Sequence, residues 1–283
     1  MIPAQFDYVR AGSVEEAVSA LAAGGDDAKV LAGGQSLIPL LRLRLAYPEV
    51  LVDVGRVEEM RGVREDGDHL VIGAMTTHHD VLTNALVKEH AGLLTEATAT
   101  VADPAVRHRG TFGGALSHAD PAGDLPAVAV ALDAQMVIAG AGGRRTVAAT
   151  DFFVDYLQTA VGPDEVLVEV RVPKHTGWGY RYEKFHRVAQ SWAIVGVAAV
   201  VQRDNGSIRQ ARVALTNMGA TPVRASAVEQ ALSGARTDGI AAAAEHAAQG
   251  TSAPNDLNGK ADYREHLARV LTRRAVAAAA GGS

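Results

Sequence analysis

Cysteine is absent from all 283 residues of this chain. That absence excludes a cysteine-ligated iron–sulfur cluster, a thiolate zinc site, a disulfide, a thiol nucleophile and any thioether to a cofactor. Redox chemistry here has to rest on an organic cofactor, and metal chemistry has to lie on another chain. Positive charge is not in excess either: the formal net charge is −5, so no basic footprint for nucleic acid is present. No apolar run approaches the roughly 18 residues that a membrane helix needs. The first eight residues, MIPAQFDY, lack the basic and apolar regions of a secretory leader, and a cytoplasmic location is the expectation. Aromatics are sparse, at 5%, but 48% of residues are hydrophobic and 21% charged. That is enough for a core in one large domain or in two to three small ones.

What is abundant in two places is glycine. One pair lies in Val30-Leu31-Ala32-Gly33-Gly34-Gln35-Ser36-Leu37, the other in Arg109-Gly110-Thr111-Phe112-Gly113-Gly114-Ala115. Glycine lets a backbone reach positive φ and lets a ligand approach without meeting a Cβ. Successive bare N–H groups make a concave anion site suited to a pyrophosphate. Two such loops far apart in sequence suggest a dinucleotide gripped from two sides. Neither is G-x-G-x-x-G or G-x-x-x-x-G-K-[ST], so the Rossmann and P-loop readings lose their main support.

The N-terminal part reads β-α-β-like. Ser13 and Glu16 form a capping box before the helical spacing of Val14, Ala17, Val18 and Leu21, which Gly24-Gly25 ends. Residues 29–32 and 50–54 read as strands, and Pro39 falls where a first helical turn tolerates it. Asp66-Gly67 and Asn205-Gly206 are hairpin dipeptides, and residues 140–143 turn a third hairpin. Residues 86–102 and 125–132 read as helices. Pro173 to Gly179 looks like a boundary after a strand over 166–172. Beyond it, 194–201 and 209–215 read as a two-stranded ribbon, followed by alanine-rich helices at about 225–248 and 261–280. The last four residues are expected to be unstructured. No internal repeat is evident.

Several polar clusters carry more than one reading. His118, Asp120 and Asp124 follow the second glycine loop; they fit a metal site, turn chemistry at Asp-Pro and Gly-Asp, or a polar loop that hydrogen-bonds a ligand. His78-His79-Asp80 also invites a metal, but Thr77 with Asp80 three residues on reads more simply as a helix N-terminus. Ser117 is not in G-x-S-x-G, so no nucleophile elbow is supported. Trp192 precedes a buried strand and reads either as a core aromatic or as a wall for a flat cofactor.

At these residues a family resemblance emerges. Ala32-Gly33-Gly34-Gln35-Ser36-Leu37-Ile38-Pro39 with Leu43-Arg44-Leu45, Ile72-Gly73-Ala74-Met75-Thr76-Thr77-His78, Arg109-Gly110-Thr111-Phe112-Gly113-Gly114, Asp120-Pro121-Ala122-Gly123-Asp124-Leu125-Pro126, Tyr182-Glu183-Lys184-Phe185 and Ala214-Leu215-Thr216-Asn217 occur in order along nearly the whole chain. In this the sequence resembles the FAD-binding medium subunits of molybdenum hydroxylases of the xanthine dehydrogenase family, most of all the carbon monoxide dehydrogenase branch. Phe112 departs from the aliphatic residue usual in Thr-x-Gly-Gly, which leaves the glycine amides available.

The resemblance implies an α+β fold: a two-subdomain FAD-binding unit of the PCMH/VAO-like type over residues 1–175, its parts about 1–55 and 56–175, then a C-terminal α+β flavoprotein domain over 176–283. Carried over by motif, it implies a non-covalent FAD site at Val30, Leu31, Ala32, Gly33, Gly34, Gln35, Ser36 and Leu37, and at Thr111, Phe112, Gly113, Gly114 and Ala115. Asp124, Leu167, Lys184 and Trp192 complete that set, and no catalytic or metal-ligating residue is implied. The implied partners are an iron–sulfur small subunit and a large subunit with a molybdenum–copper site, assembled as a dimer of heterotrimers. The implied acceptor is a quinone, with the complex cytoplasmic and peripheral to the inner membrane face through its partners. Alternatives are the equivalent subunit of an aldehyde, nicotinate or purine hydroxylase, a stand-alone flavin oxidoreductase, and a non-catalytic nucleotide-binding protein.

Overall fold

The computed structural model describes residues 2–281, so the last two residues of the expected unstructured tail lie outside the described residues. Strands β1 (Asp7–Arg10), β2 (Ala28–Leu31) and β3 (Val50–Asp53) form a parallel sheet in the order β1-β3-β2. Parallel neighbours need a crossover, which the helices Val14–Gly24 and Leu37–Leu43 supply. The first of these starts with the expected Ser13 cap, whose Oγ accepts from Glu16 N at 3.1 Å, but the Glu16 carboxylate reaches one residue further back than a capping box predicts and accepts from Gly12 N at 2.7 Å.

Strands β4 (Val63–Asp66), β5 (His69–Gly73), β6 (Gln135–Gly140), β7 (Gly143–Ala148) and β10 (Val166–Pro173) make a five-stranded antiparallel sheet in the order β4-β5-β10-β6-β7. A small ribbon of β8 (Phe153–Asp155) and β9 (Gln158–Thr159) precedes its middle strand. All three expected hairpins form; Asn205 and Gly206 both take positive φ, 48° and 84°, at the turn between β12 (Val195–Asp204) and β13 (Ser207–Thr216).

The expected two-stranded ribbon is the centre of a larger sheet. β12 and β13 are flanked by β11 (Gly179–Phe185) and β14 (Val223–Arg224), giving four antiparallel strands. Both faces of this sheet are covered, and strand alternation assigns the faces. Tyr182, Ala198, Val200 and Ala214 belong to the core shared with the N-terminal sheets, whereas Val195, Val197, Ala199, Val213 and Leu215 belong to a second core under the helix Ala261–Ala279. The helix Asp124–Ala131 is buried at every position and packs against β12 and β13. An all-round apolar helix is what a position between two sheets requires.

Two helical readings are divided by the structure. The 86–102 run breaks at Ala91 into Ala85–His90 and Gly92–Ala99, with Asn84 capping the first piece. The 225–248 run ends its first helix at Leu232, before Gly234 turns at φ +76°. Alanine content favours helix locally, but both ends are set by chain reversals that packing demands.

Arg264, fully buried on the long C-terminal helix, donates to Ile194 O and, at 2.7 Å, to the Asp256 carboxylate. Replacing it leaves a buried carbonyl without a donor. The Arg264→Met variant is expected to lose about 2–4 kcal/mol in urea unfolding. A loss below about 1 kcal/mol would show that this clamp is not a structural requirement.

Candidate functional site

The three sheets meet around one cleft of about 600 Å³. The loop after β2 reaches it from the parallel sheet, Leu167 of β10 from the antiparallel sheet, and Lys184 of β11 from the C-terminal sheet. Every residue of the sequence-derived set lines it except Leu31 and Phe112. Leu31 is half-buried and its carbonyl accepts from Val54 N at 3.1 Å. Phe112 is 1% exposed and belongs to the main hydrophobic core, so its bulk never faces the cleft.

The two glycine loops touch each other and divide their tasks. A Cβ at Gly33 would sit 2.8 Å from Gly110 Cα and closer still to Arg109 O, so this glycine is required by loop-on-loop contact. Gly34 follows at φ +73°, which L side chains rarely adopt. Among the described residues, the amides of Gly33, Gly34, Gln35 and Ser36 donate to no protein acceptor. A row of unbonded amides of this kind fits the anion cradle that the sequence suggests.

The second loop is different, and here the structure corrects the symmetrical picture. Most of its amides are already engaged: Gly110 N with Val106 O at 2.7 Å, Phe112 N with Thr76 O at 2.9 Å, Gly113 N with Ala74 O at 2.9 Å and Ala115 N with Thr111 O at 3.0 Å, while Thr111 N donates to no acceptor among the described residues. Gly114 N donates to Thr111 Oγ1 at 3.1 Å, the N-cap of the helix Phe112–His118. A Cβ at Gly113 would lie 2.7 Å from Ala74 Cα, and one at Gly114 would lie 2.6 Å from Thr111 Oγ1. These glycines permit close packing and capping, and their residues form the cleft wall.

Asp124 opens the buried helix, where a carboxylate suits the helix dipole. Its Oδ1 accepts from Tyr182 Oη at 2.7 Å and its Oδ2 from Lys184 Nζ at 2.8 Å. Burial pushes the Asp124 carboxyl upward, and the Lys184 ammonium and the Tyr182 hydroxyl oppose that push. Tyr182 is held well above its ordinary value, by burial first and by the Asp124 charge second, so it stays a donor. Lys184 also donates to Thr100 O at 3.1 Å, leaving one of its three N–H groups without a protein partner among the described residues.

The clusters read as ambiguous in sequence now separate. Asp120 makes turn chemistry, its Oδ1 accepting from Ala122 N at 2.9 Å with His118 4.0 Å from its other oxygen, and both residues also line the cleft, in keeping with the polar-loop reading. Thr77 caps the helix His78–Thr83 through Asp80 N at 3.1 Å, as expected. Trp192 is 57% exposed on the cleft rim, so its core reading is wrong. The backbone just after it is what enters the interior: Ala193 O accepts from Asn217 Nδ2 at 2.8 Å, and Ile194 O from Arg264.

His78 also lines the cleft, and the sequence-derived set lacks it. It lies in the Ile72–His78 motif, where the sequence offers it a metal reading or the start of a helix but no place in the cofactor site. Its side chain is 4% exposed, and Nδ1 is fully buried with no hydrogen-bond partner. Met60, Gly110, Ser117 and Gln190 are further lining residues outside that set.

The donor set suits a dinucleotide with two ring systems. Free amides stand at one loop, a lysine cation and a tyrosine-held carboxylate at another wall, and most of the remaining lining is apolar. Comparison with known proteins agrees. Residues 4–175 match the family model of the FAD binding domain in molybdopterin dehydrogenase, and residues 180–279 match that of the CO dehydrogenase flavoprotein C-terminal domain. The chain belongs to this family of FAD-binding molybdopterin dehydrogenase subunits. It is 42% identical to the carbon monoxide dehydrogenase medium chain of Hydrogenophaga pseudoflava, over 99% of this chain and 98% of that one. It is 39% identical to the 6-hydroxypseudooxynicotine dehydrogenase complex subunit alpha of Paenarthrobacter nicotinovorans, over 99% and 96%. A solved structure of the Hydrogenophaga pseudoflava carbon monoxide dehydrogenase that lacks the Mo-pyranopterin moiety superimposes with a TM-score of 0.96 at 44% identity, over 99% of this chain and 98% of that one.

Burial, with a smaller push from the nearby Arg107 charge, lowers the His78 imidazole from 6.5 to about 4. Between those values the unfolded chain takes up a proton that the folded chain refuses, so stability falls as pH falls through this window. The loss reaches roughly 3 kcal/mol at its acid end. In urea titrations of the flavin-free protein at pH 7 and pH 4.5, His78→Phe is expected to lose less stability on acidification than wild type. Equal losses would mean that His78 is not kept neutral by the fold.

Proposed function

We propose that this chain is the FAD-carrying medium subunit of an aerobic carbon monoxide dehydrogenase. In this reading a large subunit oxidises carbon monoxide with water at a molybdenum–copper site. Iron–sulfur clusters on a small subunit deliver the electrons to this chain, and an external quinone removes them. The observation that carries the reading is the cleft itself: free amides of Gly33 to Ser36 on one side and the buried Lys184–Asp124 pair on the other, in a chain 42% identical to a carbon monoxide dehydrogenase medium chain.

The residues have distinct tasks. Gly33, Gly34, Gln35 and Ser36 would hold the pyrophosphate through their amides. Thr111, Gly113, Gly114 and Ala115 would form the wall behind it. Lys184 and Asp124 would fix polar atoms of the isoalloxazine, with Leu167 and Trp192 against its faces. Bound FAD supplies the exchange between one-electron and two-electron transfer. The nucleotide-holding unit would be residues 1–175, in two parts of about 1–55 and 56–175, closed by residues 176–283. The working complex would be a dimer of heterotrimers, cytoplasmic and attached to the inner membrane face through its partners.

Because the chain has no thiol, its flavin is expected to be free of a thioether link. Acid precipitation should release the yellow colour into the supernatant as FAD. Colour retained in the pellet, or FMN in the supernatant, would contradict that.

The substrate assignment is tested anaerobically by flavin bleaching. Carbon monoxide should leave the isolated flavin-loaded chain yellow and bleach the complex with its molybdenum and iron–sulfur subunits. Rapid bleaching of the isolated chain would move the chemistry onto this subunit. Bleaching of the complex by a hydroxylated pyridine compound or an aldehyde, and not by carbon monoxide, would favour the second reading, which the 39% identity to the 6-hydroxypseudooxynicotine dehydrogenase subunit supports.

A further inference from the structure

His78 carries a polar group that the fold leaves without a partner. Neither ring nitrogen has a hydrogen-bond partner among the described residues; Nδ1 is walled off completely, while the ring lines the cleft. No hydrogen bond joins it to Arg107, whose Nη1 donates to Val101 O at 2.7 Å and Ala102 O at 3.3 Å. A neutral imidazole bears one proton. On Nδ1 that proton would be a buried N–H with no acceptor, which folded proteins almost never contain. The proton therefore belongs on Nε2, the nitrogen that keeps access to the cleft.

The position of Nε2 indicates what it meets. It lies against the second glycine loop: a Cβ at Gly110 would be 3.1 Å from it, and His78 N donates to Gly110 O at 2.9 Å. The backbone of Arg109 and Gly110 is also what Gly33 touches, at the start of the free amides. A side-chain donor and a row of main-chain donors thus converge on one part of the cleft.

We propose that His78 is a cofactor-binding residue whose Nε2–H donates a hydrogen bond to an acceptor oxygen in the pyrophosphate–ribose portion of the dinucleotide. This rests on the reading of the cleft as an FAD site. A histidine kept neutral by burial gives a donor that does not switch between pH 6 and 8.

The test is FAD binding by the full flavin-free chain, followed by flavin fluorescence. His78→Phe is expected to raise the FAD dissociation constant roughly tenfold, and His78→Gln, which places an amide N–H near the Nε2 position, should recover most of it. Competition with ADP should show the same loss, and competition with riboflavin none. Histidine nitrogen NMR of the wild-type chain, assigned by the signal missing in His78→Gln, should show Nε2 protonated at pH 7 and shifted by ADP. That measurement decides the matter should His78→Phe fail to fold. FAD and ADP affinities unchanged in a folded His78→Phe, or a signal indifferent to ADP, would overturn the proposal while leaving the FAD site standing. A wild-type chain that takes up no FAD would overturn both.

Discussion

The buried charge on Asp124 is the constraint on which the arrangement of this molecule depends. A carboxylate in that position is tolerable only with good donors, and both come from one strand of the C-terminal sheet: Tyr182 and Lys184 on β11. The helix behind Asp124 cannot rotate to relieve the burden, since all eight of its residues are buried. The ion pair therefore fixes how the C-terminal sheet sits on the N-terminal layers. It also brings a lysine ammonium, with a donor to spare, to the cleft wall. One interaction thus serves packing and site geometry together, and each partner stranded alone would be a buried unpaired charge.

The glycine loops express a second constraint, close approach of backbones. Gly33 against Arg109 and Gly110, and Gly113 against Ala74, bring three chain segments nearer than any side chain would permit. The second loop uses its own amides to hold that junction. The first loop keeps its amides open because no protein acceptor lies near them. A row of open amides keeps its geometry only on a rigid backing, and here one glycine loop is the backing of the other.

Much of this was legible in sequence, because it rests on short-range chemistry. The helix cap at Ser13, the hairpin dipeptides and the Thr77 cap are local hydrogen-bond patterns and form as read. The cleft was legible through the glycine loops and through motif resemblance, which also carried Asp124 and Lys184. What was not legible depends on long-range contact. Glycine spacing does not show whether an amide is free or already bonded, so the two loops looked equivalent. The exposure of Trp192 depends on Asn217 and Arg264, 25 and 72 positions away in sequence, drawing the following carbonyls inward. The place of His78 in the cleft was hidden for the same reason: neither a metal reading nor a helix-start position says which nitrogens the surrounding walls leave unpaired. Edge strands β11 and β14 escaped because each gains its pairing only from the two central strands.

The rim around Trp192 shows how an exposed aromatic can still be placed. Burial of the ring does not hold it, since more than half of it faces solvent. Its base is held instead, by two side-chain donors on consecutive carbonyls and by the Ser191 hydroxyl on Val188 O at 2.8 Å. Arg264 is well suited to this task. Its guanidinium offers several donors in a fixed plane, so one side chain can grip the rim through Ile194 and the Asp256 turn at once. Asn217 reaches Ala193 from a left-handed backbone position, φ 61°, which asparagine tolerates better than most residues. Both anchors lie on the C-terminal sheet and its long helix, the elements that also carry Lys184 and Tyr182. The wall that meets Asp124 and the rim that carries Trp192 are therefore parts of one body, and whatever enters the cleft meets them in a fixed relation to each other.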